Sequence, residues 1–195
     1  MSTINSQVLL ASSSPIRKEM IKKNFKNFCF VKHSVDEEKL KKKYKQLEYE
    51  QLVLKLSEEK ANSIMNAGKG NFIIGSDQIL ICKNKLLSKP LTLRGAKKNL
   101  EFLMGKTHTL ISAIFVKKDG AEFFKEVKKA TLYFNKLKVE VLDKYIKENK
   151  ETVLNTVGSY KIEDNQKYNF IKIIEGEFET ILGFPLKNFL RKYLG

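Results

Sequence analysis

The sequence predicts an α/β fold, a single domain over residues 1–195 with a central sheet flanked by helices. Three observations carry this. Short apolar runs at residues 8–11, 28–31, 72–82, 108–116 and 170–174 alternate with segments whose apolar residues recur every three or four positions, the alternation that builds a sheet with helices packed on it. The two kinds of segment are separated by compact Ser-Pro and Gly signals, with no internal repeat or low-complexity linker. A chain of 195 residues, 42% hydrophobic and 30% charged, is long enough for one substantial core and short for two.

Residues 8–11 (Val-Leu-Leu-Ala) read as a short buried strand, followed by Ser12, Ser13 and Ser14 and by a helix with Ser14 as N-cap and Pro15 at its first position. The N–H groups at a helix start, beside hydroxyls and with Arg17 one turn in, form a place for a phosphate or carboxylate; an ordinary capped helix is the plainer reading. Phe28, Cys29, Phe30 and Val31 give a second strand. His33 to Glu38 read as a loop carrying Asp36, Glu37 and Glu38, either a solvated acidic turn or hard oxygen ligands for a divalent metal.

From residue 49 to 67 the stripe Tyr49, Leu52, Val53, Leu56, Ile64, Met65 predicts a helix capped by Gly68. Lys60 falls on that stripe, so its stem is directed toward the core, where a charge needs a partner unless it snorkels to the surface. Residues 72–82 are the most apolar stretch, interrupted by Gly75-Ser76-Asp77-Gln78. They predict a buried strand with a break, and Asp77 lies where a carboxylate is costly unless used.

Ser88-Lys89-Pro90 closes a hairpin arm, and a helix follows over residues 92–104 with Gly105 beyond it. Residues 108–116 alternate as a strand, Asp119-Gly120 is a hairpin turn, and residues 122–134 return. Residues 139–147 form an amphipathic helix. The turn from Val157 to Asp164, a strand at 170–174, and a final helix opened by Pro185 complete the chain.

Composition narrows the function. The net charge of +15 invites nucleic acid, but only Arg17, Arg94 and Arg191 among 37 basic residues suit bidentate phosphate or base contacts, and the lysines are scattered without interleaved aromatics. Nucleic acid is therefore not the expected partner. Cys29 and Cys82 offer neither a disulfide framework nor a metal cluster and suit a reducing compartment. No leader or membrane span is expected, which makes the cytoplasm the default location.

With these segments in order, the chain resembles the Maf family of nucleoside triphosphate pyrophosphatases over nearly its whole length. The landmarks are Leu10-Ala11-Ser12-Ser13-Ser14-Pro15 with Arg17, Val35-Asp36-Glu37, Glu59-Lys60-Ala61, Gly75-Ser76-Asp77-Gln78, Lys89-Pro90, Gly158-Ser159-Tyr160-Lys161-Ile162-Glu163 and Gly183-Phe184-Pro185-Leu186. The resemblance implies a mixed, twisted sheet of the Maf and inosine triphosphatase type with a cleft between two lobes. It also implies cleavage between the α and β phosphates to give a nucleoside monophosphate and pyrophosphate.

On that resemblance Ser12, Ser14 and Arg17 hold phosphates, and Lys60 and Lys89 neutralise charge on the transferred group and on leaving pyrophosphate. Glu37 and Asp77 bind Mg²⁺ or Mn²⁺, and Asp77 also orients or deprotonates water. Ile16, Gln78 and Glu163 stand where relatives acting on dTTP and UTP carry arginine, threonine and glutamine, so the chain looks like the branch acting on 7-methyl-GTP. A carboxylate suits guanine, whose ring N–H and amino group are adjacent donors, and 7-methylation adds favourable positive charge. Asp164 replaces the usual glycine after Glu163, and Phe184 the usual leucine. The family also implies a homodimer. The alternatives are a pyrophosphatase for pyrimidine or other noncanonical triphosphates and a non-catalytic protein that binds nucleotide or nucleic acid.

Overall fold

The computed structural model describes residues 6–65 and 67–194. The architecture is α/β: a mixed seven-stranded sheet in the order β2-β1-β3-β5-β6-β7, with β4 paired to β3. The strands are β1 (Val8–Ala11), β2 (Phe28–Phe30), β3 (Phe72–Cys82), β4 (Lys85–Leu87), β5 (Lys106–Lys118), β6 (Ala121–Phe134) and β7 (Ile171–Glu175). The chain divides into two compact units, one made of residues up to Asp77, Ser112–Lys128 and those from Gly183 onward, the other of Gln78–Ile111 and Lys129–Leu182.

In the first unit β1 is buried along its whole length and pairs in parallel with β2 on one side and β3 on the other, Val8 opposite Phe28 and Phe72. Strands with both edges paired and both faces covered are apolar throughout, which is why Val-Leu-Leu-Ala carries no polar alternation. Helix α1 (Pro15–Asn24) opens at Ser14 as expected and buries Met20 and Ile21. Helix α3 (Tyr49–Asn62) buries Leu52, Val53, Leu56, Lys60 and Ala61. It lies so close to β3 that a Cβ on Gly75 would stand 2.0 Å from the Ser57 carbonyl oxygen. That contact admits only glycine, and it brings the Lys60 end of the helix down onto the strand. Helix α9 (Lys187–Leu194) buries Phe189 against Phe25, Phe72 and Phe123.

In the second unit β4 returns antiparallel along β3, and β7 pairs antiparallel with β6. Helix α4 (Leu93–Leu103) is capped by the Thr92 hydroxyl, and α5 (Val139–Glu148) and α6 (Lys150–Asn155) follow. The short helices α7 (Asn165–Tyr168) and α8 (Phe178–Ile181) complete it. Its core joins Leu80, Leu100, Leu132, Phe134, Leu142, Tyr145 and Phe170, with Phe134 stacked on Phe170 at 5.5 Å.

Four expectations are corrected. The acidic segment after His33 is not a loop throughout, because Asp36 accepts from the Lys39 N–H at 3.0 Å and caps a helix α2 (Glu37–Lys43). Helix α3 stops at Asn62 rather than Ala67, since the Ser63 hydroxyl turns back on the Lys60 carbonyl at 2.8 Å. β3 runs unbroken through Gly75-Ser76-Asp77-Gln78: the Ser76 hydroxyl and one Asp77 oxygen are taken up by the first unit's neighbours, and the Gln78 amide by residues 180–181. The last helix begins at Lys187, two residues after Pro185. Among the described residues no helix is long and apolar enough to cross a membrane.

Candidate active site

The first unit assembles a cluster of four charged side chains, with Arg17, Lys60 and Asp77 buried and Glu37 half-buried. Lys60 projects from the last turn of α3, and its side chain is 3% exposed. Its ammonium lies 2.7 Å from Glu37 Oε1 and 2.8 Å from Asp77 Oδ1, with the Ser76 carbonyl at 3.5 Å. The sequence placed a cation on the core side in need of a partner, and the structure supplies two. Glu37 arrives from the first position of α2 because Asp36 caps that helix, and Asp77 from the middle of β3. Glu59, the neighbour of Lys60, accepts from the Tyr44 hydroxyl at 2.9 Å and so ties α3 to the segment following α2.

Asp77 is 5% exposed, and only one of its oxygens meets Lys60. Its Oδ2 is buried without a hydrogen-bond partner among the described residues. An orphaned carboxylate oxygen in the interior is costly.

Arg17 comes from the first turn of α1 and is 9% exposed. Its Nε donates to the Gly183 carbonyl at 3.0 Å and one terminal nitrogen to the Ser76 carbonyl at 2.7 Å. Burial pulls its pKa down, while the charges of Asp77 and Glu37 act in the opposite direction. Two of its five donors are thus spent on fixing β3 to the chain at Gly183, and the rest of the fork is left for other acceptors. The Ser76 hydroxyl, buried completely, reinforces the same junction by donating toward the carbonyls of Ala113 at 2.7 Å and Gly183 at 3.1 Å. Ser76 and Gly183 were visible in the sequence only as motif letters; their role as a backbone hub emerges from contacts more than a hundred residues apart.

Ser12 is buried and Ser14 half-buried at the start of α1. The Ser12 hydroxyl accepts from the Ser14 N–H at 3.2 Å, and the Ser14 side chain makes no cap bond. The helix start is therefore not closed by its own N-cap hydroxyl. Ile16, one of the three specificity positions, is half-buried on α1.

The family description "Maf-like protein" matches residues 7–193 of the chain. The chain belongs to the Maf family. Among curated relatives, a 7-methyl-GTP pyrophosphatase of Bartonella henselae is 33% identical over 185 residues, covering 95% of this chain and 93% of the relative. A nucleoside triphosphate pyrophosphatase of Pelagibacter ubique is 30% identical over 190 residues, covering 96% of each. Another of that name from Paramagnetospirillum magneticum is 33% identical, covering 94% and 97%.

Three of the positions that the Maf resemblance singled out lie in the second unit. Lys89 is exposed beside Pro90. Gln78 is half-buried, and its amide nitrogen donates to the carbonyls of Thr180 at 2.9 Å and Ile181 at 3.0 Å, which anchors the end of α8 to β3. Glu163 is exposed in a 3₁₀ turn, Ile162–Asp164. Asp164 has φ −79°, so the turn does not require the glycine usual there; its carboxylate instead accepts from the Tyr145 hydroxyl at 3.0 Å and faces Lys161 at 3.6 Å. Both bonds hold the turn that presents Glu163.

Proposed function

We propose that this Maf chain is a nucleoside triphosphate pyrophosphatase that hydrolyses 7-methyl-GTP to 7-methyl-GMP and pyrophosphate, working with Mg²⁺ or Mn²⁺ as a cytoplasmic homodimer. The observation that carries the chemistry is the buried Asp77 carboxylate, fixed through Oδ1 by Lys60 while Oδ2 stays unpaired among the described residues. A carboxylate held in this way is oriented before substrate arrives, which is how positioning lowers a barrier.

Asp77 Oδ2 takes the proton of a water whose oxygen bonds to the α phosphorus. The bond from that phosphorus to the bridging oxygen breaks, and the electron pair leaves with pyrophosphate. Lys60 and Lys89 offset the charge that gathers on the reacting phosphoryl oxygens and the leaving group, and the Ser12 to Ser14 turn with the remaining Arg17 donors holds the phosphate chain. Glu37 and Asp77 fit a divalent cation, being two hard carboxylates within ion-pair reach of one position, one of them with a buried oxygen to spare. No group of three or more His, Cys, Asp or Glu is gathered for a metal among the described residues, so the other ligands come from the triphosphate and water. When bound, the ion neutralises phosphate charge.

Selection of the base is assigned to Glu163, aided by Gln78 and the non-basic Ile16. Support comes from the donor pattern of guanine and from relatives that bear the name 7-methyl-GTP pyrophosphatase. The test is pyrophosphate release from 7-methyl-GTP, GTP, dTTP, UTP and CTP, with a Glu163→Gln variant in parallel. Preference for 7-methyl-GTP that the variant loses is the expected result; preference for a pyrimidine triphosphate overturns the base assignment. Light scattering on the eluted protein reads the homodimer.

A further inference from the structure

We infer that Lys60 is the resident counterion of the Glu37 and Asp77 carboxylates, so that a divalent cation binds the nucleotide-free enzyme weakly and gains its affinity only as Lys60 moves across to the triphosphate. The inference rests on the metal-dependent reading of this site given above.

The geometry is the argument. One ammonium stands within 2.8 Å of an oxygen on each carboxylate, and its side chain is 3% exposed against 8% for Asp77 and 19% for Glu37. Arg17 is coupled electrostatically to the same two acids from its own buried position. Two positive groups and the Asp77 carboxylate are buried and the second carboxylate, Glu37, is half-buried beside them, so the charges of the free site already balance. Bringing a doubly charged cation into that set, with no anion beside it, leaves an uncompensated charge in a poorly solvated place, which is among the most costly arrangements in a protein.

Arrival of a metal together with a triphosphate has the opposite balance. The incoming complex is net anionic, its phosphates offer Lys60 a new partner, and the carboxylates are released to the metal. Lys60 is suited to the transfer, being a single point charge on a four-carbon stem with several rotamers, whereas Arg17 is pinned to two carbonyls. The two ligands then raise each other's affinity, because each relieves a charge the other would leave bare, and linkage makes that gain reciprocal.

The test is Mn²⁺ binding to the nucleotide-free full chain, read from the paramagnetic resonance of free Mn²⁺, for the wild type, Lys60→Met, Lys60→Arg and the double variant Lys60→Met/Asp77→Asn. Lys60→Met is expected to bind one Mn²⁺ about tenfold or more tighter than wild type, within the range typical of such couplings. Lys60→Arg keeps the charge and stays weak, and the double variant loses the gain. Equal, Asp77-dependent binding by wild type and Lys60→Met overturns the counterion role while leaving the metal reading in place. No Mn²⁺ bound by any form overturns both. A thermal melt covers folding: Lys60→Met is expected to melt low in chelator and to recover with Mn²⁺ by more than wild type does. A Lys60→Met chain that stays unfolded with Mn²⁺ present overturns the inference, because the cation then does not take the ammonium's place.

Discussion

Asp77 shows how one residue can hold two obligations. Through Oδ1 it compensates a buried lysine, and its Oδ2, without a partner among the described residues, is the atom that the proposed reaction uses. Asp77→Asn separates these. The amide keeps the volume and can still face the ammonium with its oxygen, and Lys60 keeps Glu37 at 2.7 Å. The chain is therefore expected to fold, at reduced stability, while pyrophosphate release falls by about 100-fold or more, as when a general base is removed. Turnover measured beside a melting curve checks both halves, and near-normal turnover would remove Asp77 from the reaction. Had Asp77 been a purely structural partner of Lys60, stability would suffer and the rate per folded molecule would not.

At the scale of elements, β5 and the turn after α6 are joined by a buried polar pair. His108 Nε2 and the Tyr160 hydroxyl lie 2.6 Å apart, with the tyrosine ring packed on Phe134 and Phe170. Burial pushes the imidazole down to about 4, against the opposing pull of the Lys106 backbone. Above pH 6.5 His108 is neutral in both folded and unfolded chains and titration adds nothing. Below it, the unfolded chain takes up a proton that the folded one refuses until about pH 4, so the folded state loses ground as the pH falls through that window. The loss is about 3 kcal/mol at its fullest. Urea midpoints from pH 7 to pH 4 should show it in the wild type, and His108→Gln should flatten the slope across the same range. Parallel slopes would mean that His108 is not the group responsible.

The same scale shows what was legible in the residues. β1, α1, α4 and the hairpin at Asp119-Gly120 follow from local pattern, because their apolar spacing and end signals agree. Helix α2 was not legible: its seven residues contain one leucine among acids and lysines, and it stands on the Asp36 cap and on the order of its charges, Glu at the start and Lys at the end. The unbroken course of β3 was hidden too, since Gly75 and Ser76 read as a break until a helix presses on one and two distant carbonyls receive the other. Asp77, Lys60 and Glu37 could each be picked out by type and position. Their meeting at one ammonium could not, because the pairing joins three elements far apart in sequence.

For the whole molecule, the question is where the pull on a polyanionic substrate originates. The chain carries +15 and a pI near 9.6, yet Lys60 and Arg17 are matched by Glu37 and Asp77, so the buried cluster adds no net charge of its own. The attraction must come from lysines spread over the surface, and fields of that kind act on encounter over distances that salt shortens. Between about 20 and 200 mM salt, kcat/KM for a triphosphate is expected to fall by roughly tenfold. kcat should fall much less, because Asp77, Lys60 and Arg17 are buried and poorly screened, and of the cations proposed to neutralise the phosphates only Lys89 is exposed to salt. Steady-state kinetics across that series decide the matter. If kcat fell in step with kcat/KM, the surface lysines would be acting on the transition state itself, and the division between a neutral buried cluster and a positive exterior would have to be abandoned.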